Sequence, residues 1–195
     1  MVREKGGIFM PISKTKRLAT DAVLTALYVL LTLFLSIKAG NLRISLASLP
    51  IIVCALLYGP QDACVCAVLG EFMNQMLSYG FTVTTPLWLL PPMLRALIVG
   101  LAAAAALRQG SRLERSVPAF YCVCIFAAIA TTLANTGVIW VDSHILGYYT
   151  FAVVFGDFLV RLFTGAVTAA VVATLAMPVA AACRKAGFGL APAEF

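Results

Sequence analysis

ATDAVLTALYVLLTLFLSI, residues 19–37, carries one charged residue, Asp21, and is bracketed by Arg17 and Lys38. Crossing the hydrocarbon of a bilayer takes about 20 helical residues, so this stretch has the length of a membrane span. It is longer than the apolar region of a cleaved signal peptide, contains an acid, and has no small-x-small cleavage site after it. It is therefore expected to stay in the protein as a first transmembrane helix.

Similar runs follow. A second, 44–59 (ISLASLPIIVCALLYG), is short and interrupted by Pro50; a third covers roughly 61–79, after the Gly59-Pro60 break. A fourth is 86–107 (PLWLLPPMLRALIVGLAAAAAL), a fifth 117–141, and a sixth lies within 147–183. The composition agrees: 62% of the residues are hydrophobic and 11% charged, against about 25% charged in a soluble domain. The expectation is an all-α integral membrane protein, residues 1–195 forming one domain of six transmembrane helices. It lies in membrane lipid, and the class fits the plasma membrane of a bacterium as a multi-pass protein.

The basic residues orient it. With six spans both termini share a side, which then holds Arg3, Lys5, Lys14, Lys16, Arg17, Arg108, Arg112, Arg115, Arg184 and Lys185. The other side holds only Lys38 and Arg43. Lys and Arg accumulate on the cytoplasmic side. Residues 1–16, 108–116 and 184–195 are thus expected to be cytoplasmic, and the loops near 38–43, 80–85 and 142–149 external. The net charge of +6 is accounted for by topology and does not imply nucleic acid.

The stretch AVVFGDFLVRLFTG, residues 152–165, puts Asp157 and Arg161 four residues apart in an otherwise apolar run. Counting back about 20 residues from Arg184 puts both at the outer edge. The first part of 147–183 then lies at the outer surface, or the helix tilts. The same counting puts Asn135 at the outer end, Arg95 in the outer half, Glu71 near the centre, and Asn74 and Gln75 one turn further out. Trp140, Asp142, His144, Tyr148 and Tyr149 belong to the outer end as well. The polar residues converge on one half while the inner half is Ala, Val and Leu. That is the pattern of a cup open to the outside, not of a channel with polar residues at every depth. Structural pairing competes with ligand contact: Asp157 with Arg161 on one helix face, and Glu71 with Arg95 on antiparallel helices. For the aromatics the alternative is an interfacial belt.

Enzyme chemistry has little support. The chain lacks G-x-x-x-x-G-K-[ST], G-x-S-x-G and H-E-x-x-H. The cysteines include two C-x-C pairs inside helices, where neighbours two apart point to different faces. Neither a metal nor a cofactor is expected. Small residues at four-residue steps occur at Ala22 and Ala26, at Ala63 and Ala67, and at Gly165, Ala169 and Ala173. Each makes a flat face on which a helix can approach closely.

KRLATDAVLTALYVLLTLFLSI (16–37), LRISLASLPIIVCALLYGP (42–60), DACVCAVLGEFMNQML (62–77), LANTGVIWVD (133–142) and FLVRLFTG (158–165) together resemble the substrate-binding S components of energy-coupling-factor (ECF) transporters, in particular the folate and pantothenate branch. One departure is Gly70-Glu71, where Gly-Asp is expected. The resemblance implies a six-helix bundle with cytoplasmic termini and an external ligand cavity built from the outer loops and last three helices. It also implies a partner-docking face at Ala22 and Ala26 for the transmembrane coupling protein, with two ATPase subunits completing the importer. The substrate is then a water-soluble vitamin, folate-like first, with a queuosine precursor or pantothenate as alternatives. The candidate contacts are Arg161, Asp157, Arg95, Asn135, Glu71, Asn74, Trp140, Asp142, His144 and Tyr148. A small non-transporting membrane scaffold of the cell-shape type is the alternative from another class; it needs the small-residue faces but not the polar cup.

Cysteine-accessibility labelling is expected to find residues 108–116 cytoplasmic and residues 142–149 external. Both segments on one side would exclude six spans.

Overall fold

The computed structural model describes residues 14–39 and 42–189. The extreme ends of the two terminal segments expected in the cytoplasm, 1–13 and 190–195, lie outside the described residues. The order is α1 (Lys14–Phe34), a two-stranded antiparallel hairpin of β1 (Ser36–Ala39) and β2 (Leu42–Ser45), α2 (Ser48–Tyr58), α3 (Pro60–Tyr79), α4 (Thr85–Trp88) and α5 (Leu90–Arg108). A single 3-10 turn (Leu113–Arg115) then leads to α6 (Val117–Leu146), α7 (Phe151–Phe155) and α8 (Phe158–Lys185). Four stretches, Lys14–Phe34, Thr85–Arg108, Val117–Leu146 and Phe151–Lys185, are long and apolar enough to cross a membrane. The two other expected spans correspond to α2, which has 11 residues, and α3, which has the length but carries Asp62, Glu71, Asn74 and Gln75.

Several boundaries differ from those expected. The first helix begins at Lys14 and ends at Phe34, and residues 36–39 pair with 42–45 instead of continuing it or forming a plain loop. Ser36 closes the helix by donating its hydroxyl to Thr32 O at 2.6 Å. The second apolar run is helical only from Ser48, with Pro50 in its first turn, where a missing N–H costs nothing. The fourth run breaks at Leu89, because Pro91 and Pro92 can occupy the first turn of α5 but cannot continue α4. The last run breaks at Gly156-Asp157, so α7 is a separate piece at the start of α8.

α2 is the centre of the molecule. From Ile51 to Tyr58 no residue is more than 2% exposed. A helix that is apolar all round belongs inside a bundle, and α1, α3, α5 and α8 surround it. Their facing positions are small, including Ala63, Cys66, Ala67, Ala96, Ala103, Ala173, Ala176 and Ala180, all 2% exposed or less. Small side chains let backbones approach and gain dispersion contacts, the main source of helix association in lipid. The faces at Ala63/Ala67 and at Ala169/Ala173 are therefore consumed by internal packing. Ala22 and Ala26 are exposed on α1, between exposed Leu18, Val23 and Leu30.

One end of the bundle is clamped by charges. Arg17 forks onto Asp62, with Nη2 to Oδ1 at 2.7 Å, joining α1 to α3. Arg184 pairs with Glu114 and donates to Leu56 O at 2.7 Å, joining the end of α8 to the 3-10 turn and to α2. At the α3–α5 contact, a Cβ on Gly100 would lie 2.5 Å from Pro60 Cα. Gly100→Val is expected to force these helices apart at a cost of about 1–3 kcal/mol or more, seen as a lower melting temperature for the purified protein.

Candidate ligand-binding site

At the opposite end, α2 stops well short of its neighbours. Eleven residues reach about 16 Å, whereas its neighbour α8 has 28 residues and extends about 42 Å. The space above α2 is a cavity of about 620 Å³, within the range of about 300–1,000 Å³ usual for small-molecule sites. Its floor is Ala47, Ser48, Ile51 and Ile52 at the start of α2. Its walls come from the C-terminal halves of α1, α3 and α6 and the N-terminal halves of α5 and α8. No side chain caps the start of α2, because its N-cap position is Ala47. The floor thus presents the positive end of a helix dipole.

Six of the ten expected contact residues line this cavity: Arg161, Arg95, Asn135, Glu71, Asp142 and Tyr148. The acids are already held. Glu71 is 7% exposed; its Oε2 accepts from the Tyr28 hydroxyl, and its Oε1 accepts from Asn74 Nδ2 at 2.9 Å and Gln75 Nε2 at 2.8 Å. Asp142 is 5% exposed and accepts from the Tyr148 hydroxyl. Burial and then Asp142 push the Tyr148 phenol up to about 12, so it remains a donor at neutral pH.

The arginines are held much less. Among the described residues the ion pairs are Arg17–Asp62 and Arg184–Glu114, so neither pairing weighed against ligand contact, Glu71 with Arg95 or Asp157 with Arg161, forms. Arg95 makes one long bond, Nε to Thr131 Oγ1 at 3.4 Å. Arg161 donates from Nη2 to Val154 O, while its Nε and Nη1 are buried with no protein partner. An unpaired cation away from bulk water is costly, and Arg161 is one of the residues that line the cavity.

The other four expected residues lie elsewhere. Asp157 is exposed at the N-cap of α8. Its backbone carbonyl accepts from Arg161 N at 2.8 Å, but the guanidinium turns back to α7 instead of meeting the carboxylate. The helix starts after Asp157, so the acid is not on the helical face that a four-residue spacing assumes. On α6 the lining positions are Cys124, Thr131, Thr132, Asn135, Ile139, Asp142 and Leu146, which, Thr132 apart, follow one another along one helical face. Trp140 and His144 fall off that face. Trp140 is 46% exposed, and its ring lies 4.6 Å from that of His144, which in turn lies 4.2 Å from Tyr149. Asn74 is fully buried behind Glu71 and positions it.

Tyr28, Gln75, Tyr79, Trp88 and Thr131 also line the cavity and were not among the expected contacts. Trp88 is there because the chain breaks after it; the signal was the Pro91-Pro92 pair. Tyr28 lies in the first span, whose apolar run gives no hint that one hydroxyl bonds an acid on α3.

In sequence, the chain matches the family described as "ECF-type riboflavin transporter, S component" over residues 12–185. It belongs to that family. It is thus a multi-pass membrane protein and the non-enzymatic component of a transporter. The resemblance to S components is borne out, although the matching family is named for riboflavin rather than for folate or pantothenate. No curated protein matches it in sequence. Among solved structures it is similar to FolT bound with folic acid: 18% identity, 85% of this chain and 94% of that one covered, TM-score 0.61. It is also similar to ThiT from Listeria monocytogenes: 16% identity, 88% and 97% covered, TM-score 0.65. An S component for biotin from an ECF-type ABC transporter gives 16%, 85% and 91%, with TM-score 0.59. At these identities the likeness is one of fold.

Tyr28→Phe removes a donor from buried Glu71 without changing ring volume. It is expected to cost about 1–3 kcal/mol, measured as a fall in melting temperature of the ligand-free protein.

Proposed function

We propose that this S component captures an anionic water-soluble vitamin, folate first, in the cavity at the start of α2. The observation that carries this is Arg161, a residue of the cavity lining whose Nε and Nη1 are buried with no protein partner among the described residues. Arg95 adds a second cation without an acid, and the uncapped α2 start adds a positive floor. The carboxylates of folate supply the counter-charge these groups lack, as charge-assisted hydrogen bonds. Glu71 and Asp142 accept from the amino-pyrimidinone edge of its ring, and Trp88, Tyr28 and Tyr79 offer faces for stacking. Asp157, Trp140 and His144 have no part in this reading.

Six spans with cytoplasmic termini, in the plasma membrane, fit this function. The cavity then opens outward, and the charge-clamped end with Arg17, Arg108, Arg115 and Arg184 faces the cytoplasm. Exposed Ala22 and Ala26 form the docking surface for the transmembrane coupling protein, with two ATPase subunits supplying energy. A scaffold has no use for a polar cavity. Riboflavin is the second reading, favoured by the matching family. It is uncharged and leaves both arginines without a counter-ion.

Thermal shift and titration of the purified protein with folic acid, riboflavin, biotin, pantothenate and thiamine test the reading. Folic acid is expected to stabilise most, since a ligand that binds only the folded state raises its stability by mass action. Arg161→Ala is expected to weaken folic acid binding by about tenfold or more, the loss of about 1.5–3 kcal/mol from one charge-assisted bond. Tighter binding of riboflavin, indifferent to Arg161, would replace this reading with the second.

A further inference from the structure

The 3-10 turn at the charge-clamped end is fastened to the bundle by two of its residues: Leu113 is buried, and Glu114 pairs with Arg184. The arginines that bracket them, Arg112 and Arg115, are three residues apart, and Arg115 N donates to Arg112 O at 3.0 Å. Side chains at i and i+3 eclipse in a 3-10 helix, so the two arginines stand on the same side of the turn. Together with Leu107, Gly110 and Ser111 they line a second cavity, of about 210 Å³.

This cavity is basic and unneutralised. Glu114 is the one acid between residues 108 and 116, and Arg184 occupies it. Among the described residues the ion pairs include neither Arg112 nor Arg115, and neither guanidinium makes a hydrogen bond. The amides of Gly110 and Ser111 are spent on Leu107 O and Ala106 O, at 2.9 and 3.0 Å, so guanidinium is the main group offered to a ligand. Two like charges lining one space repel each other, and an anion between them removes that cost. The volume falls below the range of about 300–1,000 Å³ usual for small-molecule sites and suits a phosphate group, whose oxygens the planar guanidinium fork matches. The surroundings point to where that phosphate comes from. On α5, Leu101, Ala105 and Arg108 follow at four- and three-residue steps and are all exposed; on α6, Val117, Pro118 and Ala119 are exposed directly after Ser116. Exposed apolar surface thus flanks the basic loop on both helices, as at the boundary between hydrocarbon and headgroups.

We propose that Arg112 and Arg115 hold the phosphate of an anionic phospholipid, whose acyl chains lie on the exposed apolar surface of α5 and α6. The inference is independent of which nutrient fills the cavity at the other end. A net-negative headgroup supplies the counter-charge the arginines lack. A zwitterionic headgroup brings the same phosphate with a cation attached, which the arginines repel. Since Glu114 ties the turn to Arg184, and Arg184 to Leu56 O, the bound lipid is linked to the central helix.

Native mass spectrometry of the purified protein, titrated in detergent with phosphatidylglycerol or with phosphatidylcholine of the same chains, tests this. Phosphatidylglycerol is expected to fill its first site at a concentration about tenfold or more below phosphatidylcholine, because each basic residue at a membrane surface adds attraction for anionic lipid. Arg112→Gln with Arg115→Gln is expected to bring the two lipids level. Lys14→Gln with Lys185→Gln removes the same charge from exposed positions at this end and is expected to keep the preference. Equal loss in the lysine variant makes the attraction one of diffuse charge and overturns the site, as does an unchanged preference in the arginine variant. If the arginine variant does not fold, Arg115→Gln alone decides, with a loss of about fivefold expected and no loss overturning the site. Inorganic phosphate separates the two sources of the anion: lacking acyl chains, it is expected not to displace phosphatidylglycerol at matching concentration, and displacement overturns the lipid in favour of free phosphate. No preference between the lipids in the wild type overturns the proposal and leaves the arginines to an acidic protein surface.

Discussion

The length of α2 sets the rest of the architecture. An apolar helix surrounded by α1, α3, α5 and α8 fills the bundle only where it extends, and this one has eleven residues. Its neighbours continue past its first residue, and their side chains on that side have no central helix to pack against. Closing the gap with larger apolar residues would give a denser protein and no site. The chain instead places threonines, tyrosines, a tryptophan and four charged side chains, Glu71, Arg95, Asp142 and Arg161, around it. At the other end the same short helix is fully enclosed, and Arg184 anchors its terminal turn through Leu56 O. One helix thus divides the molecule into a packed half and a hollow half.

Charge in the hollow half is distributed unevenly between acids and bases. Glu71 has three donors from the protein itself, and Asp142 has a tyrosine. Such carboxylates need nothing from outside, yet each keeps acceptor capacity toward the void. The arginines are the reverse, with N–H groups that the protein leaves unmatched. Had the acids been spent on the arginines, the cavity would be self-neutralised, and an incoming anion would have to break a buried ion pair to bind. Separate satisfaction of the acids removes that cost.

The sequence made the class, the polar end and both cavity arginines legible, since burial of charge in an apolar run is conspicuous whatever its geometry. It did not reveal how chain breaks rotate side chains. Asp157 and Arg161 are four apart, but the helix starts between them, and the acid turns out to solvent. Trp140 and His144 sit close in sequence to Asp142 yet fall off the lining stripe of α6. Trp88 was hidden inside a run that reads as one helix until two prolines are taken as a start instead of a kink. The hairpin at 36–45 was missed because short apolar segments next to a span look like more of the span. Tyr28 gained its role from a contact between α1 and α3, which no local pattern encodes, whereas Gln75 bonds Glu71 four residues away on α3 itself.

That hairpin also bears on how deep the protein sits. Two strands leave open edges, and backbone groups on an open edge have no partner in hydrocarbon. The paired segment therefore belongs in the headgroup layer or beyond. At the far end the arginine at position 108 and its companions in the following loop do the same for the opposite leaflet. Between these two fixed levels the helix of α5 has 19 residues, about 28 Å, close to the hydrocarbon thickness of about 30 Å. The bundle is thus seated like a float with two waterlines. A change in bilayer thickness must be absorbed by tilt or by the surrounding lipid, not by sliding.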